Sequence, residues 1–193
     1  MEGTSLIVIM AIIVVLVVAA IAVMGWILER RRRTERLRQR FGSEYDYTVQ
    51  TAGSQRRAES ELTKREKLAK SLNTHPLTRE EASWFSNAWQ EIQTRFVDEP
   101  EEAIANAEVL LGKVMEEMGY PTGNFEQRVA YLSVNYPRAA RSYRAAYAIT
   151  RNGRGNEVTT EDLRQAMVDY REILDDLLGA GEIKFREPRR IKV

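Results

Sequence analysis

The chain has 193 residues, 44% of them apolar and 30% charged, with a net charge of +1 and no cysteine. That length fits one domain with additions, and the composition excludes both a disordered chain and a wholly membrane-embedded one. Without thiols there are no disulfides, zinc ribbons, thiol catalysis or acylated cysteine.

The small net charge hides segregation. Residues 29–72 carry +6, residues 73–181 carry −7, and residues 182–193 carry +3. A basic collar, an acidic body and a basic tail are thus expected as separate pieces.

Leu6–Leu28, "LIVIMAIIVVLVVAAIAVMGWIL", contains no charge and no proline. A helix of that length covers about 34 Å, enough to cross a bilayer core with some tilt. A cleaved signal peptide fits poorly. "MEGTS" lacks a basic residue, the apolar run is long, and no small-x-small cleavage site follows it. The small residues of the run never fall four apart, so helix dimerisation through a small-xxx-small face is not expected.

Seven arginines follow between Arg30 and Arg40. Basic residues collect on the cytoplasmic side of a spanning helix, which places the N-terminus outside and the body in the cytoplasm. Trp26 falls where an interfacial aromatic is expected. Arg30, Arg31, Arg32 and Arg33 are close enough to the bilayer to contact anionic lipid headgroups, at about 1 kcal/mol each. Nucleic acid is not an expected partner, because the body is net acidic.

Gly42 is a natural helix stop, and Ser43 with Asp46 suggests a new start. Tyr45 and Tyr47 of "EYDY" are read as local packing residues. From Ala52 to Asn73 a charged helix carries Ala58, Leu62, Ala69 and Leu72 at helical spacing, interrupted by Arg65. Glu61–Arg65 and Glu66–Lys70 are favourable i,i+4 pairs. His75-Pro76 ends it.

Four longer helices and one short one follow. Thr78 with Glu81 forms a capping box ahead of the stripe Ala82, Phe85, Trp89, Ile92 and Phe96. Pro100 opens the next helix, with Ile104, Ala107, Leu111, Val114 and Met118 inward and Gly119 and Pro121 as its stop. Asn124 with Gln127 caps a short helix bearing Phe125, Val129 and Leu132. Pro137 starts a helix aligning Tyr136, Ala140, Tyr143 and Tyr147. "RNGRGNE" is a loop. Thr159 with Asp162 caps a last helix carrying Leu163, Met167, Tyr170, Leu174 and Leu177 and ending at Gly179. Such stripes are core faces. The short tail segment "EIKFR" alone has a strand-like pattern.

Catalytic and metal constellations are missing from the pattern. The single histidine, His75, sits at a helix boundary, and a carboxylate-bridged di-iron site needs two Glu-x-x-His pairs. "NGRGNEVTTED" lacks the glycine and terminal glutamate of a calcium loop. No phosphate-binding Gly-Lys-Ser/Thr loop occurs. No cofactor, metal or catalytic residue is therefore expected.

The segments "LRQRFGSEYDYTVQ", "ELTKREK", "RFVDEP", "GYPTGNFEQRVAYLSVNYP", "YRAAYAI" and "TTEDLRQAMVDYREILDDLL", spanning roughly 36–178, resemble a group of uncharacterised bacterial single-pass membrane proteins. The resemblance implies a membrane-tethered helical domain and brings no activity or site residues.

The expected architecture is all-α. It comprises a transmembrane helix with a basic extension (1–41), a charged helical linker (42–76), a bundle of four to five helices (77–179) and a basic tail (180–193). The expected role is a non-enzymatic interaction or scaffolding module with an unknown protein partner. Trp84, one residue off its stripe, is the candidate partner contact. The alternative is a ligand-binding or enzymatic bundle in which Arg138, Arg141 and Arg144 hold an anion.

Overall fold

The computed structural model describes the backbone of residues 2–121, 123–152 and 158–185, and their side chains apart from those of 2–9, 11–15, 152 and 180–185. The chain divides into two units, Met1–Arg40 and Phe41–Val193. Among the described residues there are eight helices and no strand. The chain is all-α.

The first unit is a single rod. Helix α1, Glu2–Phe41, runs unbroken through the arginines, and Gly42 stops it at a positive φ of 51°. Only a residue without a Cβ adopts that conformation at low cost. Described apolar side chains from Leu16 to Leu28 are exposed all round the helix. Among the described residues no helix is long and apolar enough to cross a membrane. The expected span, Leu6–Leu28, lies partly outside the described side chains. Its described portion from Leu16 reaches Glu29 and the arginines within a few turns.

In the second unit, α4 (Arg79–Arg95), α5 (Pro100–Glu117), α6 (Phe125–Asn135), α7 (Pro137–Asn152) and α8 (Thr160–Phe185) surround one core. Every residue of the expected α5 stripe is buried, as is each of Leu163, Met167, Tyr170, Leu174 and Leu177 on α8. The caps form as the spacing predicts. Thr78–Glu81 and Asn124–Gln127 are reciprocal capping boxes. Thr159 and Asp162 exchange bonds of 3.0 and 3.1 Å.

Helix α5 ends in a Schellman motif, with Gly119 N–H donating to Glu116 O and Tyr120 N–H to Met115 O, each at 2.9 Å. Gly119 has φ +81°, and a Cβ there would lie 2.6 Å from Asn73 O. The segment joining the third and fourth helices therefore crosses directly over the end of α5. His75 N–H closes that crossing on Met118 O at 3.1 Å.

Helices α7 and α8 make the most extensive pairing. Ala139, Ser142 and Ala146 lie along one buried face of α7, and Ser142 Oγ donates to Glu172 on α8 at 2.7 Å. Small side chains on that face let the two backbones approach closely.

Two sequence expectations are corrected. Helix α8 does not end at Gly179 but continues to Phe185, so the strand-like reading of "EIKFR" fails for the described residues 182–185. Gly179 keeps a negative φ, and an interior glycine costs a helix only about 1 kcal/mol, too little to stop one this long. The expected linker is also not a separate piece. Helices α2 (Ser43–Ala52) and α3 (Gln55–Ser71) belong to the same compact unit as the bundle and pack on α7 and α6. The loop "RNGRGNE" falls largely on residues 153–157, outside the described residues.

Candidate functional site

The bundle holds two polar centres, one on each side of α7. The first is built on Glu108 of α5. Tyr143 Oη donates to Glu108 Oε1 at 2.7 Å, and Tyr170 Oη donates to Oε2 at 2.8 Å. Arg128 from α6 pairs with Oε1 at 2.9 Å and lies 5.7 Å over the Tyr143 ring. Both tyrosines are fully buried, so their hydroxyls need an acceptor, and the carboxylate supplies two.

Burial pushes both phenols far above the ordinary phenol range, and the neighbouring Glu108 charge adds to the effect. They remain hydrogen-bond donors at any physiological pH and do not act as bases. Arg128 Nε is buried without a hydrogen-bond partner.

Beside this centre a half-open groove of about 1160 Å³ runs between α5, α7 and α8. Its lining includes the buried Ile104 and Tyr170, the half-buried Glu108 and Tyr147, and the exposed Glu101 and Arg151. Tyr147 is stacked on Phe125 with centroids 3.7 Å apart and planes 9° from parallel. Glu101 and Glu108 are seven residues apart, two turns or about 10 Å along α5.

The second centre is Glu44 on α2, 2% exposed. Arg144 of α7 grips it with Nε on Oε1 and Nη2 on Oε2, each at 3.0 Å. Arg65 of α3 approaches Oε2 at 3.4 Å and also pairs with Glu61. The Arg144 guanidinium lies 4.2 Å over the Tyr47 ring. Next to it Tyr45 Oη donates to Glu59 at 3.1 Å, and Gln55 donates to the same carboxylate at 2.7 Å. Helix α2 is too short to be stable alone. These contacts, with buried Tyr45 and Thr48, hold it in place.

The predicted site residues take separate positions. Arg30, Arg31, Arg32 and Arg33 are exposed on α1, with the Arg30 guanidinium 5.6 Å over the Trp26 ring. Trp84 is 58% exposed and meets the buried Phe85 edge-on at 5.0 Å. Arg138 and Arg141 are exposed, whereas Arg144 is committed to Glu44, so the three do not converge on an anion. His75 is exposed. Among the described residues no group of three or more His, Asp or Glu side chains is placed to hold a metal ion.

Glu108, Arg128 and Glu44 escaped the sequence reading. A signal for Glu108 exists, because it sits four residues after Ile104 and three before Leu111, at the edge of a core stripe. Comparison with family models, curated proteins and solved structures returns no match for this chain.

Proposed function

We propose that this is a single-pass membrane-anchored protein whose helical body serves as a non-enzymatic interaction or scaffolding module at the cytoplasmic face. The observation that carries the reading is the uncharged run Leu6–Leu28 followed, after Glu29, by Arg30–Arg33 within one continuous helix. Exposed apolar side chains on every side of a helix need a non-aqueous neighbour, and a bilayer supplies one. The arginines orient the helix and contact anionic headgroups. The likeness to uncharacterised bacterial single-pass proteins belongs to the same proposal.

Exposed Trp84 is the proposed contact for a protein partner. Two protonated tyrosines and an arginine spent on one carboxylate favour a structural over a catalytic use of Glu108.

Carbonate extraction and C-terminal reporter fusions test the reading. Retention in the carbonate-washed membrane and a fluorescent, phosphatase-negative C-terminus are expected. Release by carbonate removes the anchor, and alkaline-phosphatase activity reverses the orientation. Trp84→Ala is expected to keep the helical fold and lose co-purifying partners. Unchanged co-purification rejects that contact.

A second reading, a tethered ligand-binding bundle, is favoured by one observation: the groove beside Glu108.

A further inference from the structure

We infer that the groove between α5, α7 and α8 is a binding site for a linear alkylamine, with the ammonium seated on Glu108 and the alkyl chain lying along Ile104 and Tyr147. This rests on the ligand-binding reading above.

The anchor is preorganised. Glu108 Oε1 accepts a hydrogen bond from Tyr143 and is paired with the Arg128 guanidinium at 2.9 Å, whereas among the described residues Oε2 accepts one, from Tyr170. Each carboxylate oxygen has about two acceptor positions, so one remains on Oε2. The Glu108 side chain is 29% exposed and lines the groove, so a ligand there meets its carboxylate. A charged donor fills it best, because ammonium–carboxylate bonds are about twice as strong as neutral ones. An anion is disfavoured there, since the lining presents it with the Glu108 carboxylate.

Ile104, Leu163 and Tyr147 also line the groove and offer apolar surface that suits methylene groups. The two exposed charged residues of the lining, Glu101 and Arg151, have opposite signs. The Arg128 guanidinium 2.9 Å from Oε1 offsets part of the Glu108 charge, so the site suits a single ammonium on an alkyl tail rather than a polycation.

The experiment uses the full chain in lipid nanodiscs, with empty nanodiscs as the blank. Titration calorimetry compares n-butylamine, butyrate and butanol, which share a chain length and differ in charge. Butylamine is expected to bind, and the other two are not. Glu108→Gln removes the charge while keeping an acceptor, and its Kd for butylamine is expected to rise about tenfold or more. Ala105→Trp, at an exposed lining position, is expected to block the groove and abolish binding without touching the core. Far-ultraviolet circular dichroism checks that each variant is folded. If Glu108→Gln fails to fold, the Ala105→Trp result decides. Arg151→Gln is expected to tighten butylamine binding by removing a like charge from the lining.

Butyrate binding that is lost in Ala105→Trp, with butylamine inert, overturns the amine assignment and leaves a ligand site. No binding by any of the three probes overturns the assignment and the ligand-binding reading together. Butylamine affinity unchanged in Glu108→Gln, or in a folded Ala105→Trp, also overturns it. The membrane-anchor reading is unaffected by each of these results.

Discussion

Removing the Glu44 carboxylate is the sharpest test of how α2 is held. In Glu44→Ala the Arg144 guanidinium loses both its bonds of 3.0 Å, and Arg65 loses its contact at 3.4 Å. Deleting one partner of a fully buried ion pair costs about 3–5 kcal/mol, mostly because the other charge is left unpaired. Here the two arginines remain 21% and 15% exposed. Arg65 also keeps Glu61, and Arg144 keeps the face of Tyr47. Water and these neighbours compensate part of the loss, so about 2–3 kcal/mol is expected. For a body of this size that lowers Tm by roughly 5–10 °C.

Urea and thermal unfolding of the full chain in micelles, followed by circular dichroism at 222 nm, measure the loss. A double-mutant cycle with Arg144→Ala isolates the pair. If the bidentate contact holds α2, the double variant is more stable than the sum of the single losses implies. Coupling below about 0.5 kcal/mol, the level seen between independent sites, would refute the reasoning.

Gly119→Ala is expected to destabilise by at least about 2 kcal/mol, because it combines a positive φ with a Cβ contact of 2.6 Å on Asn73 O; a chemical denaturation midpoint within error of the parent rejects that crossing. Thr78→Ala and Asn124→Ala each lose a capping box and about 1 kcal/mol, read from the same denaturation curves. Asp169 is buried with Oδ2 unpartnered, and burial raises its carboxyl above the ordinary aspartate range. A raised acid is stabilised in its protonated form in the folded state, so its penalty is absent below the unfolded pKa and grows as pH rises through the folded one. Asp169→Asn should therefore raise Tm at pH 7, with the gain vanishing near pH 3; a gain that is equal at both pH values contradicts this. Tyr143 and Tyr170 shift upward as well, so folding favours their protonated forms and stability is lost as pH rises above the ordinary phenol range near 10. Absorbance at 295 nm is expected to show these two ionising only as the chain unfolds.

The helices of the bundle were legible because their signals are local. Thr78, Asn124 and Thr159 bond within their own first turns, Pro100 presets its own φ, and the apolar stripes follow a 3.6-residue period. The end of α8 was misjudged for a related reason. A glycine marks a helix stop only when the chain turns to positive φ, and Gly179 does not while Gly42 and Gly119 do. Arg65, which read as an interruption of the α3 stripe, is an ion partner of Glu44 across 21 positions of sequence.

What the sequence determines by itself is the all-helical class, the caps and core stripes, and the abrupt change at Glu29 from an apolar run to a cationic one. Each depends on residues within a few turns of one another. The tertiary structure decides that α2 and α3 join the bundle, that Arg144 is spent on Glu44, and that Tyr143, Tyr170 and Arg128 converge on Glu108. Those partners lie up to 100 positions apart. A buried tyrosine hydroxyl or a desolvated carboxylate demands a partner without specifying which residue supplies it, and only the packing of the helices makes that choice.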